Sequence, residues 1–142
     1  MKQIVKKVDV WLTTMENKPG MLARKLAGLT EAGVNLEFIF ARRTRDTPSK
    51  GLVFVAPIRG NRQVKAAGEL GFTVSNKLHT LRIEGRDRPG IAAQVAGKIG
   101  EANINLRGYS GSVIGTRYVV YLGFDTAADL KKAQHILTTA SS

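Results

Sequence analysis

Asn17-Lys18-Pro19-Gly20 is the stretch on which the reading of this chain turns, because Asp87-Arg88-Pro89-Gly90 repeats it 70 residues later in a chain of 142. Each copy opens the same run, a helix-like segment that ends in Gly33-Val34-Asn35-Leu36 or in Asn103-Ile104-Asn105-Leu106. Aligned without a gap, residues 17–36 and 87–106 share seven identities in twenty, and five further pairs keep their chemistry. Self-similarity at a fixed spacing marks a duplicated unit. Two units follow, residues 1–77 and 78–142, each of about 70 residues, where a lone core is marginal. Packing of the units on each other, or on a second chain, is therefore expected.

Around the repeated turn, hydrophobic periodicity gives the elements. Val8 to Met15 reads as a first strand, and the turn after it leads into a helix with Leu22, Leu26 and Leu29 on one face. Proline is favoured at a first helical position, which predicts a helix starting at Pro19-Gly20, and Gly33 stops it. Val34 to Arg43 and Leu52 to Ile58 read as a hairpin, Asn61 to Leu70 as a short helix, and Phe72-Thr73-Val74 as a brief last strand. The order is β-α-β-β-α-β. The second unit repeats it with a strand at Leu81 and Ile83, a helix face of Ile91, Val95 and Ile99, a hairpin around Gly115, and a helix from Ala127. Its end at Ser142 leaves little room for a fourth strand, so this unit is expected to lack one. The fold class is α+β: two tandem ferredoxin-like units, antiparallel sheets with helices on one face.

Composition narrows the chemistry. Cysteine is absent, which removes disulfides, thiolate catalysis and zinc sites built on thiolates. The N-terminal residues carry no signal-peptide pattern and no apolar run reaches membrane-span length, so a cytoplasmic placement is the simplest. The net charge of +11 suits anionic ligands, nucleic acid or an acidic partner. Reactive groups do not converge: His79 and His135 have no paired spacing, and no nucleophile-elbow, zinc-protease or phosphate-loop motif occurs. The expectation is a protein that is not an enzyme and needs no cofactor or metal.

What remains is binding chemistry at the repeated turn. The first amides of a helix have no partner inside it, and with the positive end of the helix dipole they suit a carboxylate. Gly20 admits a close approach, while Asn17 and Asn35 each offer a donor and an acceptor. An amino acid could set its carboxylate on the amides and its ammonium on the side-chain oxygens. The alternative is that Pro19-Gly20 only turns the chain and Asn17 caps the helix.

On these residues the chain resembles the ACT domain, a small regulatory ligand-binding module attached to many enzymes of amino-acid metabolism. Both units carry its turn and its downstream asparagine, as Asn17-Lys18-Pro19-Gly20-Met21-Leu22 with Gly33-Val34-Asn35-Leu36, and as Asp87-Arg88-Pro89-Gly90-Ile91-Ala92 with Asn103-Ile104-Asn105-Leu106. The resemblance implies sheets paired edge to edge and an effector amino acid held at the paired interface. By position it implies contacts from Asn17, Pro19, Gly20, Met21, Leu22 and Asn35 in one unit. Asp87, Pro89, Gly90, Ile91, Ala92 and Asn105 are their counterparts in the other. It further implies a homo-oligomer, a dimer first of all, and a separate partner enzyme, with no role for a membrane. Asn103 in place of the glycine, Ala92 in place of a larger residue and the charge of Asp87 depart from the pattern. The two seats should not bind alike.

RNA-recognition domains share the same element order and are the rival. Their third strand needs stacking rings, and Lys50-Gly51-Leu52-Val53-Phe54-Val55-Ala56-Pro57 imitates it with Leu52 and Pro57 where two rings belong. Tyr118 and Tyr121, at odd separation, fall on opposite faces of their strand.

Overall fold

The computed structural model describes residues 3–75 and 77–139. Its elements are β1 (Ile4–Val8), β2 (Trp11–Glu16), α1 (Met21–Glu31), β3 (Phe38–Arg43), β4 (Lys50–Ala56), α2 (Gly60–Glu69) and β5 (Thr73–Val74). After these come β6 (His79–Arg86), α3 (Ile91–Glu101), β7 (Leu106–Ile114), β8 (Arg117–Phe124) and α4 (Ala127–Thr139). The strands form two four-stranded antiparallel sheets, ordered β3-β4-β2-β5 and β1-β6-β8-β7.

The first unit, Asp9–Ser75, has its core where alternate residues of the sheet meet one face of each helix. Val53 and Val55 of β4 are fully buried with Leu29 of α1, Ala67 of α2 and Phe72, and Trp11, Met15, Leu22 and Leu26 pack against them. In the second unit Leu81 and Ile83 of β6, Val95 and Ile99 of α3, Leu122 and Phe124 of β8, and Leu130 and Leu137 of α4 form the equivalent core. Each fully buried aliphatic or aromatic side chain contributes roughly 1.5–3 kcal/mol, so the apolar stripe of each helix is what fixes it to its sheet.

The boundary between units differs from the one expected. Residues 4–8 do not belong with the first unit: β1 runs antiparallel to β6, Val5 opposite Ile83 and Val8 opposite Thr80. It takes the place beside β6 that β5 takes beside β2, so the second sheet is complete. The strand missing from the end of the second unit is thus supplied from before the first. Gln3 anchors it, accepting from the Tyr118 hydroxyl through Oε1 and donating from Nε2 to the Leu137 carbonyl at 2.9 Å.

Two element starts also move. β3 begins at Phe38, so Asn35 lies in the lead-in to the strand and not on it. Helix α1 begins at Met21, not at Pro19, and Gly20 precedes it with φ 85° in the left-handed region. Asn103 adopts φ 59° where Gly33 has φ 82°. Asparagine tolerates that region, so the departure at Asn103 leaves the helix stop intact.

Candidate functional site

The two repeated turns fold to the same hydrogen-bond pattern. After β2, Asn17 N–H donates to the Ser49 carbonyl at 2.8 Å, Met21 N–H to Lys18 at 3.3 Å, and Arg24 N–H to Gly20 at 3.0 Å. After β6, Asp87 donates to Thr116 at 2.8 Å, Ile91 to Arg88 at 3.3 Å, and Gln94 to Gly90 at 3.0 Å. Gly20 and Gly90 hold nearly the same left-handed φ, 85° and 84°. Met21, expected to offer a free amide, is engaged. The amides of Gly20, Leu22 and Ala23, and those of Gly90, Ala92 and Ala93, meet no acceptor among the described residues.

The start of α4 differs from these two: Thr126 Oγ1 accepts from Asp129 N–H at 3.0 Å. At α2, Gln63 Oε1 accepts from Arg59 N–H at 2.8 Å, but that helix, like α1 and α3, has no side-chain cap and no acidic residue in its first turn. Neither α1 nor α3 has a side-chain cap or an acidic residue in its first turn. Their positive ends are left for something else to neutralise.

The predicted contacts fall into two groups within each unit. Asn17, Pro19 and Gly20 are exposed and Met21 and Leu22 half-buried, all at the end of the sheet where the β3–β4 hairpin turns. Asn17 donates from Nδ2 to the Pro48 carbonyl at 3.1 Å, which leaves its oxygen available. Asn35 lies at the other end, because Glu37 next to it pairs with Ala56, the residue of β4 farthest from the hairpin. The helix between them spans 11 residues, about 16 Å at the helical rise. Asp87, Pro89, Gly90, Ile91 and Ala92 likewise sit at one end of the second sheet, while Asn105 precedes β7 at the other. One unit does not bring its own asparagine pair to one ligand.

Around the second turn the structure adds residues that the spacing did not single out. Tyr109 of β7 donates its hydroxyl to the Ala92 carbonyl at 2.9 Å. Arg88 Nη2 donates to Gln94 Oε1. Burial pushes the Tyr109 and Tyr118 phenols above their ordinary range, and Arg88 and Arg117 draw Tyr118 part of the way back. The signal available in sequence was that Tyr109 is not repeated in the first unit, where Ile39 holds the equivalent position. Among the described residues no group of three or more His, Asp or Glu could hold a metal ion, and no helix is long and apolar enough to cross a membrane.

The family model for the ACT domain matches residues 79–138. Over that stretch the chain is similar to an ACT domain. Its matched stretch runs from the start of β6 to the last turn of α4, so the β1 strand that completes the ACT sheet comes from outside it. Protein BT0572 from Bacteroides thetaiotaomicron has a similar structure, with TM-score 0.78 at 16% identity over 96% of this chain and 90% of that one. The regulatory subunit of aspartate kinase from Thermus thermophilus, ligand-free, follows with TM-score 0.66 at 13% identity, covering 100% and 98%. Aspartokinase III of E. coli, in complex with aspartate and ADP, aligns with TM-score 0.61 at 14% identity over 96% of this chain but 32% of its own. At these identities the likeness is one of fold. No curated protein matches the sequence.

The residues of the RNA-binding rival can be placed as well. Phe54 of β4 and Phe40 of β3 face each other across the strands on the side of the sheet away from the helices, ring centroids 6.0 Å apart. Trp11 is half-buried on the helix side, packed on the core. Tyr118 is in the second core, and Tyr121, on the opposite face, accepts from Arg82 Nε at 3.2 Å.

Proposed function

We propose that this chain is a non-catalytic regulatory protein that binds an amino acid or a similar small carboxylate and acts on a separate enzyme of amino-acid metabolism or through its own assembly. One observation carries the reading: the left-handed glycine turn that opens α1 leaves uncapped amides at a positive helix end whose first turn holds no acidic residue. A carboxylate is the ligand group that such an end prefers. The oxygen of Asn17, whose amide nitrogen is already committed to Pro48, is the acceptor for the ammonium. The match to the ACT domain over residues 79–138 and the fold shared with regulatory subunits support the same role.

The separation of Asn17 from Asn35 makes the complete seat a composite. A ligand that touches both must lie between units of two chains, one giving the turn and the other the asparagine. The exposed edges β3 and β7 are the strands suited to that pairing, which fits a homodimer or higher assembly, in a cytoplasmic setting. The first unit, which shares the fold and the turn, is on this reading an ACT domain also.

A thermal-shift screen of the twenty L-amino acids tests the proposal. A ligand at a hundred times its dissociation constant should stabilise by about 2.7 kcal/mol. Asn17→Ala and Asn35→Ala are expected to weaken the response to whichever amino acid scores. A flat screen at millimolar concentration, or full affinity in both variants, would remove this assignment.

A further inference from the structure

The two sheets end in rows of opposite chemistry. In the first unit Glu16 of β2 is the register partner of Lys50 on β4, and Thr44 N–H donates to the Lys50 carbonyl at 3.1 Å. In the second, Arg86 of β6 is the partner of Arg117 on β8, and Ile114 of β7 lies opposite Arg117. The first row is neutral, and Glu16 also meets Lys18 at 3.0 Å. The second sets two cations side by side, although like charges directly opposite on neighbouring strands repel. Arg117 meets Glu84 at 3.3 Å, but that carboxylate already holds Arg82 at 2.8 Å. Arg86 meets no carboxylate among the described residues, and neither does Arg88, whose Nη2 donates to Gln94 Oε1. Beside these cations the hairpin tip is apolar, Val113 being 53% and Ile114 77% exposed.

An anion would relieve the arginine pair, and an apolar contact would cover Ile114. A DNA duplex supplies both, since its phosphates draw arginines to the groove and its base steps accept apolar wedges. We propose that the end of the second sheet, with Arg86, Arg88 and Arg117 around the Ile114 tip, binds double-stranded DNA without regard to sequence. Lys6, opposite Arg82 on the same face, and the net charge of +11 extend the attracting field, against Glu84 and Asp87 as the nearby acids. A single strand fits less well, because its bases need exposed rings to stack on. Tyr121, the aromatic residue of this face, is buried, and its hydroxyl accepts from Arg82 Nε at 3.2 Å. The proposal is independent of the ligand seat at α1.

Fluorescence anisotropy of the full chain with short labelled duplexes of two unrelated sequences, between about 50 and 200 mM salt, tests it. Neutralising about three phosphates gives a log–log slope of about −2.7, so affinity should fall roughly fortyfold across that range, alike for both sequences. Arg86→Gln and Arg88→Gln are each expected to reduce the slope by about 1. Ile114→Ser should weaken binding about tenfold at every salt concentration and leave the slope as it is. Lys50→Gln, at the counterpart of Arg117 in the first unit, should change neither. All four positions are exposed, so the variants are expected to keep the fold, which far-UV circular dichroism checks. No binding at the lower salt, an unchanged slope in both arginine variants, or an equal loss of slope in Lys50→Gln overturns the proposal. Binding to phosphatidylglycerol vesicles in place of DNA would also overturn it and give the surface to a membrane.

Discussion

At the scale of single residues, the fold depends on a few backbone positions that L side chains avoid. Gly20 and Gly90 bend the chain from strand into helix at φ near 85°, and an added Cβ meets no other atom at either site. Any cost of substitution is therefore backbone strain alone, and Gly20→Ala and Gly90→Ala should each lower unfolding stability by about 1–2 kcal/mol in urea titration. Unchanged midpoints would mean that the helix starts are not held in this conformation. Asn103→Gly, by contrast, should cost nothing, because asparagine already occupies that region under mild strain. The glycine turns were legible because they are local: proline and glycine restrict φ whatever surrounds them. The assignment of Pro19 to the first helical position failed for the same local reason, since a left-handed Gly20 interposes one more residue before the helix begins.

At the scale of elements, the two units solve one packing problem in opposite ways. Met15 of β2 pairs with Gly51 of β4, while at the equivalent place Gly85 of β6 pairs with Tyr118 of β8. The large residue changes strands and the glycine takes the other side. A Cβ on Gly85 would come within 2.9 Å of the Tyr118 ring, and one on Gly51 within 3.2 Å of the end of Met15. Gly85→Ala should thus cost about 1–3 kcal/mol by overpacking. Gly85→Met with Tyr118→Gly, which transplants the first unit's pair, should cost less than the two single changes added together, by a coupling of roughly 0.5–3 kcal/mol. Strict additivity in a double-mutant cycle would contradict the exchange. Alternating hydrophobicity made the strands readable, but it says nothing of which residue stands opposite. The exchange appears only once the register is known.

At the scale of the whole molecule, the second unit is not a contiguous piece of chain. Its sheet is closed by β1, and its core includes Val5 packed from that strand. The protein supplies its own reporters, because the single tryptophan, Trp11, is in the first unit and all three tyrosines, Tyr109, Tyr118 and Tyr121, are in the second. Removal of residues 1–8 should shift the tyrosine-detected unfolding down, on the order of 3 kcal/mol for the loss of a hydrogen-bonded edge strand. The Trp11-detected transition should stay in place. Equal shifts at both probes would refute the assignment of β1 to the second sheet alone.

The duplication, the order of the elements from Trp11 onward, the two glycine turns and the absence of thiol chemistry were determined by the sequence itself. Each is a property of neighbouring residues or of composition. Three things were decided by tertiary structure: the strand that completes the second sheet, the distance between Asn17 and Asn35, and the tyrosine that donates to the first turn of α3. All three depend on which strands lie side by side. Val5 meets Ile83 across 78 residues of chain. Edge-strand pairing of that kind is set by the hydrophobic face left open on the partner sheet, which no local pattern in residues 4–8 can name.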